Sequence, residues 1–198
     1  MKLDGTVLQQ LVVRIDVTDY VRILDRAHAN TPLGMGYGRT RFSSPKDRFK
    51  LLYLAQDSRT AIAERIVRDR FQGRAKRDLL ASELRSYSIA VVRNDDPLVL
   101  VDLRHEGANL LGVPTDAVRA RAQAAGRRLS QEPHDRTLLD GIVYMSRITN
   151  RECVAVYERA VATKLTSDMP AAPLIRLASM TGDLRALGIT IIADMDEL

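Results

Sequence analysis

The 198-residue chain holds one cysteine, three histidines and only 5% aromatic residues, and each scarcity closes a route. A single cysteine, Cys153, excludes an internal disulfide framework. It lies in "RECVAVYERA", an alternating run that predicts a buried strand, so a core thiol is expected rather than a nucleophile. His28, His105 and His134 are scattered without the short spacings of zinc sites, and no metal is expected. No apolar run approaches the roughly 18 to 20 residues that span a bilayer. The N-terminal "MKLDGTVLQQLVVRIDV" lacks the basic start, apolar core and small-residue cleavage site of a secretory signal. A cytoplasmic protein with no membrane partner is expected. No Ser/Gly/Pro-rich linker or low-complexity block divides the chain, so residues 1–198 read as one domain.

Charge is present in quantity: 30 Lys and Arg against 25 Asp and Glu, a net +5. That excess fits nucleic acid, an acidic protein partner or an anionic small substrate alike. The densest basic segment, "RTAIAERIVRDRFQGRAKR", carries Ile62, Ile66 and Val67 at helical spacing. Its arginines are therefore expected on the solvated faces of an amphipathic helix. Few aromatics interleave with them, which argues against a direct nucleic-acid groove.

The densest concentration of binding chemistry is "GMGYGRTRFSSP", residues 34–45. Glycines admit close backbone approach, Arg39 and Arg41 can fork onto phosphate or carboxylate oxygens, and Tyr37 offers a planar face. A solvated turn before a strand accounts for the same composition. No lysine follows in a GxxxxGK[ST] pattern and no helix opens from a GxGxxG, so neither a P-loop nor a Rossmann turn is present.

Short apolar runs "VRIL" (21–24) and "KLLYLA" (50–55) predict strands on either side of that loop. Asp57 and Ser58 offer helix-start chemistry, and a helix is expected from there until Gly73, with Glu64 in its second turn. "SYSIAVV", "LVLVDL", "DGIVYMS" and "ECVAVYE" predict further strands, the last two as a pair. "TDAVRARAQAAGRRLSQ" predicts a helix capped by Thr115 or Asp116. A short helical piece around "LIRLASMTGDLRALG" and a final strand "ITIIAD" follow Pro170 and Pro173. Strands outnumber long helices without regular strand-helix-strand alternation, which implies an α+β fold with a mixed or largely antiparallel sheet.

Four segments carry polar groups that composition does not explain: Arg22 in "DYVRILD", the loop with Tyr37, Arg39 and Arg41, Glu64 in "TAIAERI", and Ser146 in "GIVYMSRITN". Their order, with "LYLA" and Ala61 three residues before Glu64, resembles the RES-domain family over roughly residues 20 to 160. Phe42-Ser43 stand where the family pattern carries Trp-Asn. The resemblance implies an ADP-ribosyltransferase-like fold and the toxin half of a toxin–antitoxin pair, with NAD as substrate. NAD would be cleaved by hydrolysis or phosphorolysis, or its ADP-ribose passed to a protein target. The site set implied is Arg22, Tyr37, Glu64 and Ser146, with Arg41 as the loop arginine and Arg39 as its competitor.

Read alone, Glu64 is a helix glutamate paired with Arg68 four residues on, Arg22 an edge-strand arginine, Tyr37 a ring tucked under its loop and Ser146 a serine capping a turn. Within the resemblance, Glu64 stabilises the oxocarbenium-like ribose and Arg22 forks onto the pyrophosphate. Tyr37 stacks on nicotinamide, while Ser146 holds the amide or a ribose hydroxyl. No activating histidine or GxSxG elbow makes Ser146 a nucleophile. A cognate antitoxin is the implied partner, and a homodimer within the complex is compatible with the sequence, although no heptad specifies one. A basic nucleic-acid-binding module, or an interaction protein without catalysis, is the alternative.

Overall fold

A computed structural model describes residues 3–112 and 123–194. The proposed caps Thr115 and Asp116 lie outside the described residues. The strands are β1 (Val12–Ile15), β2 (Val21–Asp25), β3 (Leu51–Ala55), β4 (Asp78–Leu80), β5 (Tyr87–Asn94), β6 (Leu98–Asp102), β7 (Gly141–Met145), β8 (Glu152–Tyr157), β9 (Leu165–Ser167), β10 (Ala172–Pro173) and β11 (Thr190–Ile192). Among the described residues one sheet runs β1-β6-β7-β8-β3-β2-β5-β10, with β9 paired to β5 off this path, while β11 and β4 form a separate parallel pair.

Every neighbour in the large sheet is antiparallel except β6–β7. Parallel strands need a long crossover, and the chain between β6 and β7 contains the Ala124–Arg136 helix. The architecture is the mixed, mostly antiparallel α+β fold that the strand-rich pattern predicts.

Both faces of the sheet are covered, which is why β8 reads as a nearly continuous apolar run. On one face Ile23, Ala55, Ile142, Tyr144, Cys153 and Ala155 pack with Ile62, Ile66 and Val67. On the other, Leu52, Leu54, Leu98, Leu100, Val154 and Val156 pack with Ala160, Val161 and Leu165. Ile62 and Ile66 are fully buried, and each such side chain contributes about 1.5 to 3 kcal/mol. Strands β7 and β8 meet so closely at Gly141 that a Cβ there would lie 2.2 Å from the Ala155 carbonyl oxygen.

One joint in the sheet is nearly open. β2 and β3 share a single residue pair, Val21↔Ala55, whereas β2 pairs with β5 through five and β3 with β8 through five. Beyond Val21 and Ala55 the two strands part. The 25-residue connection between them, residues 26–50, contains the Gly-rich loop.

Candidate functional site

A cleft of about 650 Å3 occupies that split, within the range of about 300 to 1,000 Å3 usual for small-molecule sites. It is lined by β2 from Val21 to Asp25, by Leu51, Tyr53, Leu54 and Ala55 of β3, by Gly34, Met35, Gly36 and Thr40 of the loop, and by Ala61, Glu64, Arg65 and Arg68 of the following helix. Tyr144 and Cys153 form its floor.

The helix begins where its cap chemistry dictates. Asp57 is extended and its Oδ1 accepts from the Thr60 N–H at 2.7 Å. The chain is α-helical over Ser58–Ile62, widens into a π-helical stretch at Ala63–Val67 and closes with Arg68–Arg70. Ile62, Ala63, Ile66 and Val67 take the core, which turns Ala61, Glu64, Arg65 and Arg68 to the cleft. A π-helical stretch of this kind is often found at functional sites.

Glu64 is more than a surface ion-pair partner. Its side chain is 16% exposed and its Oε2 lies 3.5 Å from Arg68 Nη1, the i, i+4 pair that the sequence predicts. Its Oε1 accepts a 2.6 Å hydrogen bond from Ser146 Oγ. Ser146 is buried just past the end of β7. The two residues lie 82 positions apart in sequence.

Arg22 projects from β2 into the cleft wall, where its Nη1 donates to the carbonyls of Pro32 and Gly34, each at 3.0 Å. The guanidinium thus ties the Gly-rich connection to the sheet. Among the described residues no carboxylate pairs with it. Burial, and then the neighbouring Arg65 cation, push its pKa down to about 10. Arg65 is itself held by Asp25 at 2.8 Å and Asp69 at 3.0 Å, and Arg68 by Asp69 at 2.9 Å. Of the three arginines in the lining, Arg65 and Arg68 are thus paired with carboxylates, and Arg22 is the guanidinium that lacks an acidic partner.

The loop residues divide. Arg39 is exposed, 3.7 Å from Asp47. The Nε of Arg41 is buried without a hydrogen-bond partner, and its guanidinium carbon lies 5.9 Å from the centre of the Tyr144 ring. Tyr37 does not line the cleft: the residue is 59% exposed, with Lys50 Nζ 5.1 Å from the centre of its ring. The tyrosines that do line it, Tyr53 and Tyr144, come from strands. Tyr53 is tied down, its hydroxyl accepting from Thr40 Oγ1 at 2.7 Å and from the Phe42 N–H at 3.1 Å.

Cys153 is buried in β8 as expected. Burial and the nearby Glu64 carboxylate push its thiol up, so it remains neutral and poorly nucleophilic. Among the described residues no group of three His, Cys, Asp or Glu side chains could hold a metal ion, and no helix is long and apolar enough to cross a membrane.

Sequence reasoning missed Arg65 and Arg68 as lining groups, because arginines off the Ile62/Ile66 stripe read as solvated. The available signal was Ala61, Glu64 and Arg68 on one helical face, with a small residue where a solvated face has no need of one.

The family description "RES domain" matches residues 12–176. A Sinorhizobium fredii protein described as "Probable toxin y4kH" is 38% identical over 82 residues, which take in 40% of this chain and 64% of that protein. A chain in the crystal structure of the M. tuberculosis MbcT–MbcA toxin–antitoxin complex superposes with a TM-score of 0.59, covering 84% of this chain and 94% of the other at 16% identity. The last similarity is one of fold.

Proposed function

The chain belongs to the RES-domain family, and from that membership we propose that it is the toxin of a toxin–antitoxin pair that consumes NAD by breaking its nicotinamide–ribose bond. One observation carries the reading: a carboxylate, Glu64, clasped by Ser146 in a cleft whose other charged groups are mainly arginines. An anion-binding site needs the cations; it has no use for a fixed carboxylate among them. A substrate with a pyrophosphate and an incipient ribosyl cation uses both.

In this reading the pyrophosphate lies toward Arg22, the cleft guanidinium without an acidic partner, with Arg65 and Arg68 beside it. The ribose lies against Glu64. As the bond between ribose C1′ and the nicotinamide nitrogen breaks, its electron pair leaves with neutral nicotinamide, and the positive charge left on the ribose is stabilised by the carboxylate. An acceptor oxygen then bonds to C1′ and its proton passes to solvent. Ser146 keeps the carboxylate oriented. Neither loop arginine lines the cleft; Arg41, its Nε buried without a partner and its guanidinium beside the Tyr144 ring, is the better ligand candidate than exposed Arg39. Tyr37 serves only if the loop turns it inward from Lys50.

The arginine-rich helix supports nucleic-acid binding poorly. Arg59 pairs with Asp183, Arg65 with Asp25 and Asp69, Arg68 with Glu64 and Asp69, and Arg70 with Glu83. Charges already neutralised release few counterions from a phosphate backbone. A partner that presents a carboxylate to Arg22, the cleft arginine without an acidic partner, fits an antitoxin, and the NAD pool of the cytoplasm is where such a toxin acts.

The test is incubation of the purified chain with NAD, with and without inorganic phosphate, and chromatography of the products. Free nicotinamide is expected. Phosphate-dependent release identifies phosphorolysis, phosphate-independent free ADP-ribose identifies hydrolysis, and protein-linked ADP-ribose identifies transfer. Absence of nicotinamide under both conditions refutes the reading. In cells, expression alone should halt growth and Glu64→Gln should not. Equal toxicity of the two would put growth arrest outside NAD chemistry.

A further inference from the structure

Ser146 and Glu64 do not fix each other unaided. Ser146 Oγ accepts from the N–H of Ile148 at 3.2 Å and of Thr149 at 3.4 Å. With those lone pairs engaged, its single proton goes to Glu64 Oε1. The donors belong to the tight turn between β7 and β8, closed by Asn150 N–H to the Ser146 carbonyl at 3.0 Å and Ser146 N–H to the Arg151 carbonyl at 2.8 Å. Asn150 sits in the left-handed region at φ 51°, which asparagine tolerates better than most residues.

The same turn touches the Glu64 helix at a second point. Thr149 Oγ1 lies 2.9 Å from Thr60 Oγ1, and Thr60 is fully buried. Thr60 and Glu64 are four residues apart on one helix, hence on one face. Thr60, Thr149, Ser146 and Glu64 therefore form a closed ring: two hydrogen bonds cross between helix and turn, and one joins Thr149 N–H to Ser146 within the turn.

We propose that the Thr60–Thr149 hydroxyl pair is a positioning device for the Glu64 carboxylate. It pins the turn so that the Ser146 proton is aimed at Oε1, which leaves Oε2 toward Arg68 and the cleft. Packing alone does not call for it, because an apolar pair of the same shape replaces a buried hydrogen-bonded pair at little cost to stability. Aiming does call for it: a catalytic group displaced by about 1 Å loses up to a hundredfold in rate. This inference rests on the NAD reading for its kinetic consequence and on geometry for the rest.

The experiment is the double variant Thr60→Val/Thr149→Val, which removes both hydroxyls together and leaves the Asp57 carboxylate, a further partner of the Thr60 side chain, its cap bond from the Thr60 N–H, beside the conservative Thr149→Ser. The double variant is expected to melt near the wild type and keep KM for NAD within about twofold, while kcat falls by about tenfold. Thr149→Ser should keep kcat near wild type. A crystal structure of the double variant should show Ser146 Oγ out of hydrogen-bond range of Glu64. Retention of the 2.6 Å contact in that structure, or an unchanged kcat, overturns the proposal. A wild type that releases no nicotinamide refutes the NAD reading instead, and the distance in the variant still decides whether the pair positions Glu64.

Discussion

Glu64→Gln separates charge from shape more cleanly than any other change in the cleft. The amide keeps an oxygen to accept from Ser146, so the 2.6 Å clasp has a successor. The loss of the pair with Arg68 costs little: it is a 3.5 Å contact, and Arg68 keeps its 2.9 Å bond to Asp69. An i, i+4 pair of this kind is worth about 0.3 to 0.5 kcal/mol, which moves the melting temperature of a chain this size by at most about 2 °C. The catalytic term is larger. A full charge about 4 Å from the carboxylate, at an effective dielectric near 20, interacts with about 4 kcal/mol. The ribose carries only part of that charge in the transition state, so roughly 3 kcal/mol is lost, or somewhat more than a hundredfold in kcat. Nicotinamide release by chromatography gives the rate and a thermal melt checks the fold. A variant that melts like the wild type and still turns over at a near-normal rate would refute the assignment of Glu64.

Arg22→Lys should weaken NAD binding at least about tenfold by calorimetry, since an ammonium cannot fork onto a pyrophosphate. Burial and the Arg65 cation, which lower Arg22 to about 10, would also depress a lysine there, and a base with a depressed pKa loses its proton as pH rises. As pH rises the variant should therefore lose affinity before the wild type does; parallel profiles would count against this. Arg41→Ala should cost about tenfold in NAD affinity, while Arg39→Ala should leave it nearly unchanged because an exposed pair contributes about 0 to 1 kcal/mol; the reverse order would reassign the loop arginine. Gly141→Ala should destabilise the fold by about 2 to 3 kcal/mol in urea, because the added Cβ would lie 2.2 Å from the Ala155 oxygen. Wild-type stability would mean that β7 and β8 separate freely.

The elements that the sequence made legible are those with a strong local pattern. "VRIL", "LLYLA" and "ECVAVY" announce strands through short apolar runs, and Asp57 announces a helix through its cap. β4, β9 and β10 have no such pattern, being strands of two or three residues whose pairing comes from distant chain, whereas β1 lies in "LVVRI", a run as apolar as "VRIL" that sequence reasoning missed. The contact of Ser146 with Glu64 spans 82 residues, and no periodicity encodes it; only the resemblance set the two side by side. Tyr37 offers a planar face within the Gly-rich loop and belongs to the set the resemblance implies, yet the cleft takes its rings from the strand residues Tyr53 and Tyr144, whose alternation reads simply as core. Arg65 and Arg68 were hidden differently: a cleft beside a helix makes one of its polar faces a lining, and composition cannot tell lining from surface.

The single pair joining β2 to β3 has a mechanical consequence. A sheet resists opening because each step breaks ladder bonds on both sides, but here the ladder is already undone beyond Val21 and Ala55. The sheet therefore divides into two plates, β1-β6-β7-β8-β3 and β2-β5-β10, held together at this joint by the shared side-chain core more than by ladder bonds. The divergence of β2 from β3 sets the width of the cleft. Arg22 stands on one plate, and Ser146 on the other, beside the carboxylate it holds. A ligand that touches both plates bridges the place where the ladder is missing.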